Sequence, residues 1–355
     1  MTKKLLSLLF GGTAVLAVAF FWFSTPTLSF DTLYGPVTIN EPVLVKLIQD
    51  PTMQRLKKIH QYGVDHYVIK QEEGHNRFEH SLGVWLLLAR YKAPLKEQIA
   101  GLLHDVSHTV FSHVGDFVYR KSALGDAYQD DIHESFITNS SLMPLLASYN
   151  YTVQDIHHKN KHFTALEPEL PEISADRLEY NLSDGFFAGL ITKPEIKTLL
   201  DAVKFDNNTW YFTDTVQAKK FALISLYLTE HTWGSPTALL IDTWAAEAIR
   251  RALELGIINR DEFHHSTDDA VWQKLTQSQD SIIQNLLTKL RNYKTEFVLN
   301  DKKYDVVLKA KFRGVNPWVK TTNGLTRLTE LDADFKKQFD QLRDLMAKGW
   351  HIKFT

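Results

Sequence analysis

Histidines and carboxylates are concentrated in one short region of this 355-residue chain. Six of its fifteen histidines lie between His75 and His133. The region holds Arg-Phe-Glu-His at 77–80 and His-Asp-Val-Ser-His-Thr-Val-Phe-Ser-His-Val-Gly-Asp at 104–116. Imidazole and carboxylate groups bind divalent metal ions and transfer protons near neutral pH. The region therefore predicts a site for metal-dependent or acid–base chemistry.

Two predicted helices bring parts of this region together. Apolar periodicity predicts helices at Ser81–Tyr91 and Leu95–Leu103, joined by a short segment that contains a proline. Because short connections join antiparallel neighbours, His80 should lie beside His104 and Asp105. Adjacent helical residues point about 100° apart, so His104 and Asp105 can share one ion only in the seam between helices.

The alternative is that these histidines are ordinary core or capping residues. For a single histidine that is the commoner arrangement. Here, however, His104 is followed directly by Asp105, His80 stands at the matching end of the helical hairpin, and His108 follows one turn later. This combination favours a metal site.

The same stretches resemble the HD-domain metal-dependent phosphohydrolases, a family named after the adjacent His-Asp pair. The chain is most similar to the deoxynucleoside triphosphate triphosphohydrolase branch, in its bacterial (dGTPase) and SAM-domain-linked animal forms. The resemblance covers about residues 31–190 and implies a mainly α fold, the HD-domain helical bundle. The segments that carry it are Tyr34–Val37, Gln54–Gln61, His75–Val84, Gln98–Asp105 and Phe111–His113.

The resemblance implies four metal ligands, which fall on His80, His104, Asp105 and Asp176. Asp176 stands in a segment similar to the family's Asp-x-x-x-Tyr-x-x-x-Asp helix. Its four-residue spacing would place Asp176, Tyr180 and Asp184 on one helix face. The alternative for Asp176 is an ordinary carboxylate at a helix start, following Ser174 as N-cap.

A set of two imidazoles and two carboxylates leaves coordination positions open for water and a phosphate oxygen. Such ligation suits a divalent transition metal, namely iron, manganese, cobalt, nickel or catalytic zinc, with Mg²⁺ as a further candidate. The chain has no cysteine, which excludes a thiolate zinc site or an iron–sulfur cluster. A bound divalent ion lowers the pKa of its water and neutralises charge on a phosphoryl group. The expected reaction is hydrolysis without a covalent intermediate.

Further catalytic roles follow from the resemblance. His108, His113 and His133 are expected to line the phosphate path, and one of them to protonate the leaving oxygen. The spacing leaves open which one does so. Asp116 and Glu134 are expected to orient these imidazoles and keep them charged. The alternative for both is an ordinary solvated carboxylate.

Substrate contacts are implied at Arg77, Gln61, Arg177, Tyr180, Asp184 and His231. Arg77 is expected to bind phosphate, since a guanidinium group can do so bidentately. Gln61 matches the family's glutamine that contacts the deoxyribose 3′-hydroxyl. Tyr62 follows it, where the SAM-linked branch usually has leucine, so sugar discrimination is expected to differ.

One later helix departs from the family pattern. The family carries Arg, His and Tyr at four-residue steps, and His231 matches the histidine. Tyr227 stands in place of the arginine and Ser235 in place of the tyrosine. The departure weakens the case for a triphosphate more than the case for phosphoester hydrolysis. Arg177 is expected to supply part of the missing positive charge.

The first 29 residues are predicted to be a signal peptide or a membrane anchor. Residues 5–23 are uncharged and long enough to span a bilayer, and they follow two lysines. A cleaved signal and a retained anchor both fit, and a buried N-terminal helix is a third alternative. The basic start predicts that the catalytic domain lies outside the cytoplasm. Without a targeting role for this segment, the protein would be cytoplasmic.

Composition limits the remaining possibilities. A chain of this length with 44% hydrophobic residues can bury one large core or two moderate ones. A net charge of −2 gives no positive electrostatic field for binding long nucleic acid.

We expect an HD domain at residues 30–200 and a helical region with a small β-sheet at residues 201–355. A homo-oligomer is compatible with the sequence.

The last third is predicted to mix helices and strands. A helix over Trp244–Leu255 should end at Gly256, a C-cap candidate. Residues 257–263 read as a connection, and Ser266 begins the next helix. Two strands, Thr295–Leu299 and Tyr304–Phe312, should be joined through Asn300-Asp301.

Two functional hypotheses follow. The first is a metal-dependent phosphohydrolase that acts on nucleotides, with deoxynucleoside triphosphates as leading substrates and other phosphoesters as the alternative. The second is a catalytically silent module that keeps the fold and binds a nucleotide. The complete set of ligand-type residues favours the enzyme.

Overall fold

The computed structural model describes residues 27–69, 75–119, 127–166 and 168–355. Within these ranges the protein is mainly helical, with three small sheets. The predicted fold class, mainly α with a smaller α+β portion late in the chain, is confirmed. The predicted targeting segment at residues 5–23 lies outside the described residues. No helix among those described is long and apolar enough to cross a membrane.

The first half opens with a β-hairpin and continues with helices. Its strands are β1 (Leu28–Thr32) and β2 (Gly35–Ile39), and its helices are α1 (Pro42–Gln49), α2 (Pro51–Arg55), α3 (Asp65–Val68), α4 (Arg77–Arg90), α5 (Leu95–Leu103), α6 (Val114–Val118), α7 (Tyr128–Thr138), α8 (Leu142–Ser148), α9 (Ala175–Phe187) and α10 (Lys193–Ala202). The predicted boundary after residue 29 falls inside β1, where Ser29 pairs with Thr38.

The second half interleaves helices with two further sheets. Its elements are β3 (Val203–Asp206), β4 (Thr209–Phe212), α11 (Thr215–Leu228), α12 (Pro236–Glu254), α13 (Arg260–His265), α14 (Asp268–Gln277), α15 (Ser281–Arg291), β5 (Phe297–Leu299), β6 (Val306–Leu308), β7 (Trp318–Thr321), β8 (Gly324–Arg327), α16 (Leu328–Leu331), α17 (Ala333–Lys348) and β9 (Trp350–Phe354). A short π-helical turn, Thr229–Trp233, joins α11 to α12. The strand orders are β3-β4-β7-β8 and β5-β9-β6.

The predicted helical hairpin is confirmed as α4 and α5, which pack against each other. Helix α4 begins four residues earlier than predicted, because the Asn76 side chain caps it by accepting a hydrogen bond from the Glu79 amide at 3.0 Å. Helix α9 packs on α4 and α11, and its N-cap is Ser174, which accepts from the Arg177 amide at 3.0 Å. These helices share one apolar core, which includes Val84, Leu88, Leu178 and Leu182.

Three predictions for the last third are corrected. The predicted connection at 257–263 contains most of α13, because Asn259 and Glu262 form a capping box there. The predicted strand Tyr304–Phe312 is limited to β6, and residues 309–317 have no regular structure. The predicted hairpin of the two strands is wrong, because β9 inserts between β5 and β6 and pairs antiparallel with both. The C-cap at Gly256 is confirmed by its φ of 67°.

Asp268, at the start of α14, ties the late helices to the loops of the first half. Its buried carboxylate accepts hydrogen bonds from the His60 amide at 2.8 Å and the Phe111 amide at 2.7 Å. These amides belong to the loops that precede α3 and α6. Asp268 thus fixes loops that border the histidine-rich region.

Replacing Asp268 tests this link. We expect Asp268→Ala to lower the free energy of unfolding by roughly 2–4 kcal/mol, because two buried amides would lose their acceptors. The neighbouring Asp269 is exposed, so Asp269→Ala is the matched control and should change stability by less than about 1 kcal/mol. Urea unfolding of the three proteins measures both values. Equal losses in the two variants would contradict the link.

Candidate metal centre and substrate cavity

The four predicted metal ligands converge where α4, α5 and α9 meet. His80 lies in the first turn of α4, His104 and Asp105 directly follow α5, and Asp176 is the second residue of α9. The Nε2 atoms of His80 and His104 are 3.2 Å apart, and the Oδ1 atom of Asp176 is 3.1 Å from His80 Nε2 and 3.5 Å from His104 Nε2. Asp105 Oδ1 lies 3.4 Å from His104 Nε2.

The opposite ring nitrogens are held so that both Nε2 atoms face inward. His80 Nδ1 contacts the carboxylate of Glu179, and His104 Nδ1 lies 2.8 Å from the carbonyl oxygen of Gly101. Such partners fix the tautomer and orientation of metal-binding histidines. His80, His104 and Asp176 form a group that could hold a metal ion, and Asp105 lies beside it, with Oδ2 3.6 Å from His80 Nε2. A divalent ion bound there would supply Lewis-acid chemistry and activate water.

The charges of the cluster are strongly coupled. Burial lowers the pKa of His80, but Glu179 and Asp176 outweigh burial and hold that pKa well above its usual value. For Asp105 burial raises the pKa, yet His104 and Arg77 bring it well below the usual range. The carboxylates of the cluster therefore favour positive charge at the point where the two imidazoles meet. A divalent cation would supply that charge.

Arg77 lines the cavity, but its guanidinium already has protein partners. It donates to Asp105 Oδ2 at 2.7 Å, to Ser112 Oγ at 3.0 Å and to the carbonyl oxygen of Gln61 at 3.3 Å. The side chain is buried. In this arrangement Arg77 positions the metal-ligand residue Asp105. The expected contact with phosphate would require the guanidinium N–H groups to be shared between the phosphate and these protein partners.

His108 and His113 both face the cavity, in different environments. His108 is buried, its Nε2 lies 3.2 Å from Asp105 Oδ1, and burial together with Arg77 lowers its pKa to about 4. His113 is partly exposed, and its Nδ1 lies 2.9 Å from Asp116 Oδ2. His113 therefore has the open position and the carboxylate partner that a proton donor needs.

His133 and Glu134 lie on different faces of α7, one buried and one exposed. The ring of His133 is buried, with Nδ1 3.0 Å from Ser107 Oγ, and burial lowers its pKa well below the usual value. The next residue points about 100° away. Glu134 is consequently exposed and accepts a hydrogen bond from Gln154, so the structure does not bring it to the imidazoles it was expected to orient.

The predicted substrate residues divide into two groups. The first group, which lines the cavity, consists of Gln61, Tyr180 and Asp184. Tyr62, which stands where the SAM-linked branch usually has leucine, also lines the cavity. Burial raises the pKa of Asp184 to about 7, although hydrogen bonds from Tyr62 and Trp233 lower it.

The second group lies elsewhere. The expectation that Arg177 supplies charge to the cavity is corrected, because its guanidinium donates to the carbonyl oxygens of Pro168 and Glu172. His231 is exposed beside Tyr227, with ring centroids 4.4 Å apart, on the π-helical turn. Ser235 caps α12 by accepting from the Ala238 amide.

Several residues of the site escaped prediction. Glu179 was not assigned a role, although it follows Asp176 by three residues and so lies on the same helix face. Asp130 and His158, 3.0 Å apart, also line the cavity. Lys309, Lys311 and Arg313 line it from the irregular segment after β6. Their alternation with Ala310 and Phe312 was read as a strand, although it equally describes a segment with one charged side.

Comparisons with known proteins agree with this geometry. Residues 77–140 match the family model of the HD domain. The chain is 30% identical over 325 residues to the uncharacterized protein YdhJ of Bacillus subtilis, covering 91% of this chain and 98% of that protein. It is 27% identical over 299 residues to the metal-dependent phosphohydrolase cns2 of Cordyceps militaris, covering 81% and 83% respectively.

Similarity to the SAM-linked branch is confined to part of the chain. The deoxynucleoside triphosphate triphosphohydrolase SAMHD1 of Gallus gallus is 33% identical over 146 residues, which is 35% of this chain and 24% of that protein. Among solved structures, a phosphohydrolase from Bacteroides thetaiotaomicron has the same fold, with a TM-score of 0.70 at 16% sequence identity. The superposed region covers 92% of this chain and 99% of that structure's chain.

Metal binding should stabilise the folded protein through this cluster. We expect Mn²⁺ at about 100 times its Kd to add roughly 2.7 kcal/mol to the free energy of unfolding. Asp176→Ala should lose this increment, because one ligand is removed. Glu134→Ala, on the exposed face of α7, is the control and should keep it. Urea unfolding with and without Mn²⁺ measures the increment, and an equal gain in both variants would refute the site.

Glu179 should act on the metal through His80. We expect Glu179→Gln to weaken metal affinity about 10–100-fold, as is usual when the partner of a ligating histidine is changed. Glu134→Gln is the matched control. Competition with a chromophoric chelator measures the affinity of each protein. If both variants bind Mn²⁺ like the parent, Glu179 has no such role.

Proposed function

The chain belongs to the HD-domain family of metal-dependent phosphohydrolases, and we propose that it hydrolyses deoxynucleoside triphosphates to deoxynucleoside and tripolyphosphate. The observation that carries the proposal is the convergence of His80, His104, Asp105 and Asp176 at a cavity that also contains Gln61. Metal ligands and a sugar-matching residue thus line one space.

His113 is the proposed proton donor to the leaving oxygen. Its ring is partly exposed in the cavity, and Asp116 Oδ2, 2.9 Å from its Nδ1, holds the ring in place. Asp116 is itself fixed, since its other oxygen accepts a hydrogen bond from the Tyr128 amide at 2.7 Å. His108 is less suited because its pKa of about 4 keeps it neutral. His133 does not belong to the cavity lining among the described residues.

Gln61 is the proposed contact for the sugar. Its Oε1 atom is buried and has no hydrogen-bond partner among the residues that the structure describes. A buried acceptor without a partner costs free energy, which a ligand hydroxyl would recover. Tyr62, beside it, narrows the same part of the cavity and is the residue by which sugar selection would differ from the SAM-linked branch.

A second candidate is a hydrolase of a shorter phosphoester that releases orthophosphate. It is favoured by Tyr227 and His231, which stand outside the cavity, so the family's usual phosphate and base contacts are missing. Similarity to the triphosphohydrolase SAMHD1 of Gallus gallus covers 35% of the chain, whereas similarity to cns2, named only as a metal-dependent phosphohydrolase, covers 81%. The metal chemistry would be the same in both candidates.

A substrate scan distinguishes these functions. Deoxynucleoside triphosphates, ribonucleotides and nucleoside monophosphates would be incubated with Mn²⁺, Fe²⁺ or Co²⁺, and the phosphate product identified by anion-exchange chromatography. We expect tripolyphosphate from the deoxynucleoside triphosphates. Asp105→Ala should lower kcat/KM at least about 100-fold, because a ligand of the ion is lost.

Other products would redirect or overturn the proposal. Orthophosphate as the only phosphate product would support the second candidate. Metal binding without turnover of any of these substrates would identify the protein as a catalytically silent member of its family. Glu134→Ala is the control, since its side chain lies outside the cavity, and it should retain parental activity.

A further inference from the structure

We infer that Lys309, Lys311 and Arg313 form a phosphate-binding strap that holds the distal phosphates of a polyphosphate substrate. The strap, defined as residues 309–313, supplies the positive charge that the family places at the position of Tyr227. This inference rests on the proposed function, because it names what the same cavity recognises. It assigns a binding role to a segment outside the region that carries the family motifs.

The strap is held in place by its alternate residues. Ala310 is buried, and Phe312 packs edge-on against Phe339, with ring centroids 5.0 Å apart. Beyond the strap, Val315 is fully buried, and the carbonyl oxygen of Arg313 accepts a hydrogen bond from Ser225 Oγ at 3.2 Å. Lys309, Lys311 and Arg313 line the cavity together with Ala310, while Phe312 packs against Phe339 at the core.

The charge of the described cavity lining shows why cations there would matter for an anionic ligand. Among the residues that the structure describes, seven aspartates line the cavity: Asp65, Asp105, Asp116, Asp130, Asp176, Asp184 and Asp242. Among the lining residues that the structure describes, the lysines and arginines are the strap residues and Arg77. Arg77 already contacts Asp105, Ser112 and Gln61. Among the described lining residues, the strap thus supplies three of the four lysine and arginine side chains that could attract a triphosphate.

Arg313 connects the strap to the metal centre. Its guanidinium interacts with the Tyr180 hydroxyl, and Tyr180 follows Asp176 by one turn of α9, about 6 Å along the helix axis. Tyr180 packs edge-on against Trp233 at 5.0 Å, and Trp233 donates to Asp184 at 2.8 Å. Arg313 thus lines the cavity beside Tyr180, on the helix that carries the ligand residue Asp176, and its planar guanidinium suits it to bind a phosphate there.

The test compares binding of inorganic tripolyphosphate and orthophosphate to Mn²⁺-loaded protein from which free metal has been removed. Calorimetry would be applied to the parent, to Lys309→Gln/Lys311→Gln and to Arg313→Gln, and metal content would be checked afterwards. We expect each variant to weaken tripolyphosphate binding at least about 10-fold, which corresponds to about 1.4 kcal/mol. Orthophosphate binding should change less than about 3-fold, since it occupies only the metal end.

The matched control is Lys302→Gln/Lys303→Gln, which removes the same charge from an exposed loop just before β6. It should bind tripolyphosphate like the parent. Thermal unfolding verifies that all variants are folded. The strap would be refuted if the control and the strap variants bind tripolyphosphate equally, or if the strap variants lose orthophosphate binding to the same degree.

Binding and turnover separate this inference from the proposed function. Strap-dependent tripolyphosphate binding in a protein that hydrolyses no nucleotide would support the strap and overturn the function. Release of tripolyphosphate from deoxynucleoside triphosphates by strap variants with parental KM would support the function and overturn the strap.

Discussion

The close approach of two imidazole nitrogens, His80 Nε2 and His104 Nε2 at 3.2 Å, is the constraint on which the site depends. It requires α4, α5 and α9 to pack tightly. Gly101 and Gly83 permit this, since a Cβ atom at Gly101 would clash with Leu88 and one at Gly83 with Glu179. The helices can therefore bring Glu179 onto His80, and the same close packing that forms the core also sets the spacing of the ligands.

The local part of this arrangement could be predicted from the sequence. A helical hairpin with a short connection brings His80 to His104 by geometry alone, and the structure has this hairpin. Asp176 could be assigned only through the family resemblance, because it reaches the cluster over a long sequence separation. The side of α7 on which Glu134 lies could not be predicted, because its neighbour His133 takes the buried side.

The later part of the chain was harder to predict for a physical reason. Strand pairing in the last sheet joins segments some fifty residues apart, and alternation of residues does not identify the partner strand. The segment 309–313 alternates like a strand, yet it pairs with no strand among the described residues, and Lys309, Ala310, Lys311 and Arg313 all line the cavity. Arg177 directly follows the metal-ligand residue Asp176, so its guanidinium was expected in the cavity. Instead, it donates hydrogen bonds to the backbone carbonyl oxygens of Pro168 and Glu172.

The position of β9 between β5 and β6 has a consequence for biosynthesis. β6 ends at Leu308, which pairs with Trp350 of β9, directly before Lys309. Trp350 also donates a hydrogen bond to the carbonyl oxygen of Gly234, close to the cavity residue Trp233. The N-terminal part of a chain leaves the ribosome first. The metal-ligand residues are thus synthesised long before β9, which fixes one wall of the cavity, so the cavity is complete only after β9 has been added to the chain.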